Sequence, residues 1–222
     1  SGYVLYGSEN LPLALDGPRL TAKISGEPFS ADEVADIGSY VFAWQDHGRN
    51  GQLPKAGLWK CDSEESIFEL DIPTGIVSVS SSRNGGSLLA IDEAGVIHVY
   101  AVPSGKLISR LTCSKGYSYA SFAQNSEKIV AITKSGEGFL LNATDGRVLV
   151  SYISEGPIRF VRLAKESETY YLLCSCLDDK ARIFDLELGT LLYTLSAHGH
   201  LQDACFMGYN ETYFSHGTET IA

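Results

Sequence analysis

The sequence holds a single methionine, seven prolines, five cysteines and only 17 Lys and Arg against 27 Asp and Glu. A formal charge of −10 leaves no cationic field to displace counterions from a phosphate backbone, which argues against nucleic-acid binding. No apolar run approaches the roughly 18 residues of a membrane-spanning helix. Residues Ser1 to Asn10 also lack the basic-then-apolar pattern of a secretory signal, so a soluble protein with no membrane partner is expected. The cysteines, Cys61, Cys113, Cys174, Cys176 and Cys205, form an odd set without a Cys-x-x-Cys pair. Most lie in apolar runs, where a reduced thiol packs as a small hydrophobe, so the expected setting is intracellular, cytoplasmic or nuclear.

Reactive constellations are equally scarce. Gly-x-Ser-x-Gly does not occur, and the glycine-containing stretch Ser81-Ser82-Arg83-Asn84-Gly85-Gly86 lies between two strand-like runs, as a turn does, rather than before a helix. Of the histidines, His47, His98, His198, His200 and His216, only His198 and His200 are close in sequence; with Asp203 they are the one cluster that could hold a metal. Asp178 and Asp179 are adjacent and point apart on a turn, unlike a catalytic carboxylate pair. His98, on a strand-like run, is expected to face solvent. No cofactor, metal or catalytic residue is expected.

What is present is a repeat. Residues 76–111 divide into Ile76–Ser80, Ser87–Ile91, Val96–Tyr100 and Lys106–Leu111, four short apolar runs separated by turns rich in Asn, Gly, Asp, Pro and Ser. The four-part phrase returns over 117–152 and 157–195, and begins again at 201–222. An earlier copy over 19–72 shows Ser39–Trp44, Gly57–Asp62 and Ile67–Ile72; Ala31–Asp36 before them reads as at most a turn of helix. The third runs end at Cys61, Tyr100, Leu141 and Phe184, spaced 39, 41 and 43, close to the roughly 40–45 residues of one propeller blade. Gly105, Gly146 and Gly189, before the fourth runs, keep the same beat. Middle runs such as Lys128–Ile132 are apolar without alternation, as strands covered on both faces require. The expected fold is all-β: a β-propeller of four-stranded antiparallel blades. The chain would form one domain of four to five blades, the amino-terminal part of a seven-bladed ring, with Tyr3–Tyr6 either a ring-closing strand or an ordinary edge strand.

Over Ser175–Leu186 the sequence resembles the WD-repeat signature. Phe184-Asp185 stands where that family has Trp-Asp, and Ala197-His198-Gly199-His200 resembles its Gly-His element. In the other copies Tyr100-Ala101, Leu141-Asn142 and Cys61-Asp62 take the Trp-Asp position. The resemblance implies that Asp178 occupies the turn position that binds the family's His, and that His200 opens the next copy. No His precedes the Asp178 blade, and Ala94 and Ser135 fill the equivalent turn positions in two others. It also implies a non-catalytic scaffold that binds other proteins within a multiprotein complex. The alternative is a propeller enzyme that uses its central channel for a small substrate or metal. Interfaces favour Tyr, Trp and Arg, which nominates Tyr117, Tyr119, Arg159 and Arg49 as partner-binding residues. Arg49 lies in the long Asp46–Lys55 insertion, flanked by Trp44 and Trp59.

Overall fold

The computed structural model describes residues 21–24, 27–30, 33–37, 40–44, 55–60, 66–70, 74–123, 126–166, 169–196, 201–207, 211–216 and 219–221. Tyr3–Tyr6 lie outside them. Every regular element among the described residues is a strand, and no helix long and apolar enough to cross a membrane occurs among them. The chain forms two compact units, Ser1–Leu111 and Thr112–Ala222.

In the first unit, β1 (Thr21–Ile24) and β2 (Glu27–Ser30) form an antiparallel hairpin. Two four-stranded antiparallel sheets follow. One contains β3 (Glu33–Ile37), β4 (Tyr40–Trp44), β5 (Ala56–Lys60) and β6 (Ser66–Leu70). The other contains β7 (Ile76–Ser81), β8 (Ser87–Asp92), β9 (Ile97–Ala101) and β10 (Leu107–Leu111). The expected turn of helix is instead part of a strand, since Glu33 to Ile37 pair with Trp44 to Tyr40. Six residues are too few to nucleate a helix unaided, whereas pairing with the apolar β4 satisfies their backbone at once.

The second unit repeats the arrangement. One sheet holds β11 (Tyr117–Ala123), β12 (Lys128–Thr133), β13 (Gly138–Asn142) and β14 (Val148–Tyr152). The next holds β15 (Ile158–Glu166), β16 (Thr169–Cys176), β17 (Lys180–Asp185) and β18 (Leu191–Ser196). A three-stranded sheet of β19 (Leu201–Met207), β20 (Glu211–His216) and β21 (Glu219–Ile221) ends it.

Each sheet is covered by its neighbour, which explains why the middle strands are apolar on both faces. In the first unit Phe42 and Leu58 of one sheet pack with Leu88, Ala90 and Tyr100 of the next. In the second, Leu172, Cys174 and Phe184 face Val130, Ile132 and Leu140, while Leu173 and Ile183 point the other way, onto Leu201 and Ala204. Adjacent residues of β16 therefore serve two different cores. Each of the fully buried aliphatic and aromatic side chains contributes about 1.5–3 kcal/mol of burial free energy, which ties every blade to its neighbours within a unit.

One bulge recurs in every complete blade and a second in the sheets from β7 onward, while β3 and β4 pair without a shift, and the first fixes the true register. The pairing of third and fourth strands shifts at Leu58/Trp59, Leu107/Ser109, Leu140/Leu141 and Ile183/Phe184. Aligned on that bulge, Trp59, Tyr100, Leu141 and Phe184 are equivalent, all buried, and 41, 41 and 43 residues apart. Cys61-Asp62 was two residues out of register: Trp59-Lys60 holds the Trp-Asp position of its blade, and the period becomes more regular. A second bulge, between first and second strands, falls at Ile76/Ser78, Tyr117/Tyr119, Ile158/Phe160 and Leu201/Asp203.

The glycines that kept the beat have a structural cause. Gly105, Gly146 and Gly189 have φ of 67°, 72° and 68°, and each N–H donates to the carbonyl four residues back, on Ala101, Asn142 and Asp185. A Cβ on Gly189 would lie 2.5 Å from Val150 Cγ1, and one on Gly105 would lie 2.5 Å from the Phe68 ring. Val150 and Phe68 hold the same place in the fourth strand of the preceding blade, so this turn is a repeated point of contact between blades.

Candidate functional site

The polar chemistry of the described residues gathers where the turn between second and third strands meets the loop entering the first strand. One backbone bond recurs there. The N–H groups of Glu93, Lys134 and Leu177 donate to the carbonyls of Gly75, Gly116 and Pro157, each at 2.9 Å. Any residue type can make this bond, so the turn and loop stay joined while the side chains around them change.

Those side chains do differ from blade to blade. In β7–β10, His98 Nε2 meets Asp92 Oδ2 at 3.0 Å, and Asp92 Oδ1 accepts the Val96 N–H at 2.8 Å. His98 is only 5% exposed and stacks on Tyr100, which corrects the expectation of a solvent-facing histidine. Its strand is covered on both faces, and the Asp ending the preceding strand supplies the polar partner. Burial pushes the Asp92 carboxyl up, but the hydrogen bonds from His98 and Val96, with the charges of His98 and Arg110, hold it below the ordinary value.

In β11–β14, the Glu137 carboxylate meets Lys115 of the entering loop at 2.7 Å and the Ser135 hydroxyl at 3.2 Å. The hydrogen bond from Lys115 is the main reason that this carboxyl lies below its usual value. The side-chain link between loop and turn is made here not at Ser135, in the Asp position, but by Glu137 two places further on.

The third version centres on a buried arginine. Arg182, 1% exposed, donates from Nη1 and Nη2 to Asp178 Oδ1 and Oδ2 at 2.9 and 2.6 Å, and from Nη2 to Glu155 Oε2 at 3.3 Å. Asp178 thus binds an arginine of its own blade. The hydrogen bond from Arg182 holds the Asp178 carboxyl low, and that same bond raises the guanidinium further. Asp179, at φ 59°, occupies the left-handed turn position taken by Gly95 and Gly136 in the other two blades. Where Gly136 offers its carbonyl to the Ile158 N–H at 2.8 Å, Asp179 offers Oδ1 to the Leu201 N–H at 3.1 Å. The first strand of the following sheet is anchored either way.

The Trp-Asp position has its own physical role. Phe184 is 1% exposed and packs at 5.6 Å from the Tyr152 ring of the preceding blade. Asp185 Oδ1 accepts the N–H groups of Glu187 and Leu188, at 2.9 and 2.8 Å, and so caps the turn. Asn142 does the same for Thr144 and Asp145. Ala101 cannot; its turn keeps the later bond, Ser104 Oγ accepting the Lys106 N–H at 3.3 Å as Asp145 accepts that of Arg147 at 2.9 Å.

Of the residues nominated for partner binding, Arg159 is exposed at the bulge that opens β15, its guanidinium 5.7 Å from the centre of the Phe160 ring, itself 40% exposed. Tyr119 is half-buried against the core. Tyr117 turns inward: it is 5% exposed, and burial, reinforced by Cys113, pushes its phenol up to about 12. Trp44 and Trp59 are core residues. Arg49, His198 and His200 lie outside the described residues, and of Asp203 only the backbone, in β19, is described. No three His, Cys, Asp or Glu side chains among the described residues come together as a metal site.

Sequence reasoning missed a cleft of about 370 Å³ between the β12–β13 turn, the end of β14 and the loop 153–157. Glu137, Phe139, Ser151, Ile153, Ser154 and Glu155 contribute to its lining. Ile153, at 85% exposure, was the one available signal: an isoleucine in a loop with no core to enter.

No family model matches the sequence, and no curated protein matches it. Among solved structures the chain is similar to the WD40 β-propeller domain of Doa1, with 13% identity, 85% of this chain and 63% of that chain covered, and a TM-score of 0.61. It is similar also to the β-propeller domain of Myceliophteria thermophila Cps50 (Swd1), at 13% identity, 83% and 64% coverage and a TM-score of 0.65. A third likeness is to BamB from Moraxella catarrhalis, at 14% identity, 82% and 54% coverage and a TM-score of 0.60. The chain spans between about half and two thirds of the length of these three structures. Blades of four antiparallel strands, packed face on face with a recurrent turn-to-loop bond, give this chain the fold of a WD-repeat-like β-propeller.

Proposed function

We propose that the chain is a non-catalytic scaffold that holds other proteins, as a subunit of a multiprotein complex in the cytoplasm or nucleus. The observation that carries this reading is the segment 153–160, which displays Ile153, Arg159 and Phe160 outward from a rigid sheet edge. Arginine and aromatic residues on a fixed backbone are the side chains from which interface hot spots are built. The polar groups nearby, Asp178, Arg182 and Glu155, are engaged in joining turn to loop, as are Glu137 and Lys115 in the preceding blade, while Asp92 and His98 bind each other within one hairpin. Buried free thiols at Cys174 and Cys176 fit a reducing compartment.

Cross-linking followed by affinity capture from the native cells tests the proposal. The full chain should recover a defined set of proteins, and Arg159→Ala with Phe160→Ser should lose at least one of them while the fold persists. Recovery of the chain alone would refute it.

A further inference from the structure

Position 182 in β17 and position 139 in β13 are equivalent, since each lies one residue before the third-to-fourth strand bulge residue pair Ile183/Phe184 or Leu140/Leu141. In the later blade that position carries a guanidinium seated between a turn carboxylate, Asp178, and a loop carboxylate, Glu155. In the earlier blade it carries Phe139, half-buried, beside an open cleft that again has a turn carboxylate, Glu137, and the same loop carboxylate, Glu155. We infer that this cleft receives an arginine side chain from an extended segment of a protein partner. The inference rests on the scaffold reading and names the chemistry of the partner.

Three features of the cleft suit a guanidinium. The first is charge: Glu137, paired with Lys115, lines the cleft with Glu155, whose contacts with Arg182 and Lys180 both fall on Oε2 of a side chain that is 82% exposed. A planar cation arriving from solvent can therefore meet Glu155 Oε1 with little to displace. The second is the aromatic Phe139 in the lining, which suits the flat guanidinium of arginine better than the ammonium of lysine. The third is apolar surface, for Ile153, 85% exposed, lines the cleft and can meet the methylene stem. An anionic ligand would meet two carboxylates and is disfavoured. The chain's net charge of −10 draws basic segments toward it in general, and the cleft gives one such side chain a defined seat.

The test is a titration of the 15N-labelled full chain with the blocked tripeptide acetyl-Gly-Arg-Gly-amide, compared with the same peptide carrying citrulline, which keeps the shape and removes the charge. The arginine peptide should shift the amide signals of Gly136, Gly138 and Gly156 with a dissociation constant on the order of millimolar, as a single side chain supports. The citrulline peptide should leave them unmoved, and Glu155→Gln, a change at an exposed position, should weaken the arginine peptide at least about fivefold. Equal binding of both peptides, no shift at those glycines, or full binding by Glu155→Gln would overturn the inference. Its failure is distinguishable from failure of the scaffold reading: partners captured equally well by wild type and Glu155→Gln would remove the arginine seat and leave the scaffold standing.

Discussion

Arg182 and Asp178 form an ion pair whose two halves are not symmetrical. Asp178 keeps 28% of its side chain exposed, whereas Arg182 keeps 1%. Arg182→Met preserves the aliphatic stem and leaves a carboxylate that water can reach, so the cost is about 2–3 kcal/mol, near that of its lost charge-assisted bonds. Asp178→Ala strands a guanidinium that cannot deprotonate, left with Glu155 at 3.3 Å and the weakly polar Cys176 thiol. Losing the partner of a buried charge costs about 3–5 kcal/mol, so the smaller deletion is expected to do the greater harm. The double variant should recover part of the loss, with a coupling energy of about 2 kcal/mol. Acid should erase the difference. The folded Asp178 carboxyl lies below its ordinary value, so its stabilisation is complete above the unfolded pKa of about 3.9 and disappears as pH falls through the folded one. Urea unfolding followed by far-ultraviolet circular dichroism at neutral and acid pH measures all four proteins, because Trp44 and Trp59 both lie in Ser1–Leu111 and report on the other unit. A coupling under about 0.5 kcal/mol, or Arg182→Met costing more than Asp178→Ala, would refute the argument.

Three further outcomes are expected. His98→Ala leaves the buried Asp92 with the Val96 N–H but without its side-chain partner and should lower stability by about 1.5–3 kcal/mol, read by tryptophan fluorescence in urea; a change under about 0.5 kcal/mol would mean that the pair contributes little. Gly189→Ala places a Cβ against Val150 at a φ of 68° and should cost about 1–3 kcal/mol, with Val150→Ala restoring only the steric part; full restoration would show that backbone conformation is not at issue. Asp179→Gly exchanges a side-chain bond for an unstrained left-handed turn and should stay within about 1 kcal/mol of wild type, while Asp179→Ala loses both and should fall below it by about 1–2 kcal/mol, as thermal melts would show.

The period, the strand-sized runs and the glycine turns carried the fold in the sequence, because burial on both faces and left-handed turns each demand particular residue types. Register did not show. A bulge adds a residue without changing composition, so Trp59 and Cys61 looked equally suited to end a strand. Nor did the partner of His98, since an Asp six residues earlier becomes a neighbour only when the chain reverses between β8 and β9. Glu137 was hidden because Lys115, its ion-pair partner, lies 22 residues away across a strand pair. The cleft depends on Phe139 replacing the polar residues of its neighbours, a substitution that reads as ordinary strand chemistry until the blades are superposed.

The central structural claim is that a backbone bond fastens turn to loop in the three blades where both are described, whatever the side chains do. Amide hydrogen exchange on Glu93, Lys134 and Leu177 tests it directly, as these turn residues have exposed side chains and would otherwise exchange freely. The account predicts that all three exchange as slowly as the strand amides flanking them; exchange at the rate of open loops in even two of the three would contradict it.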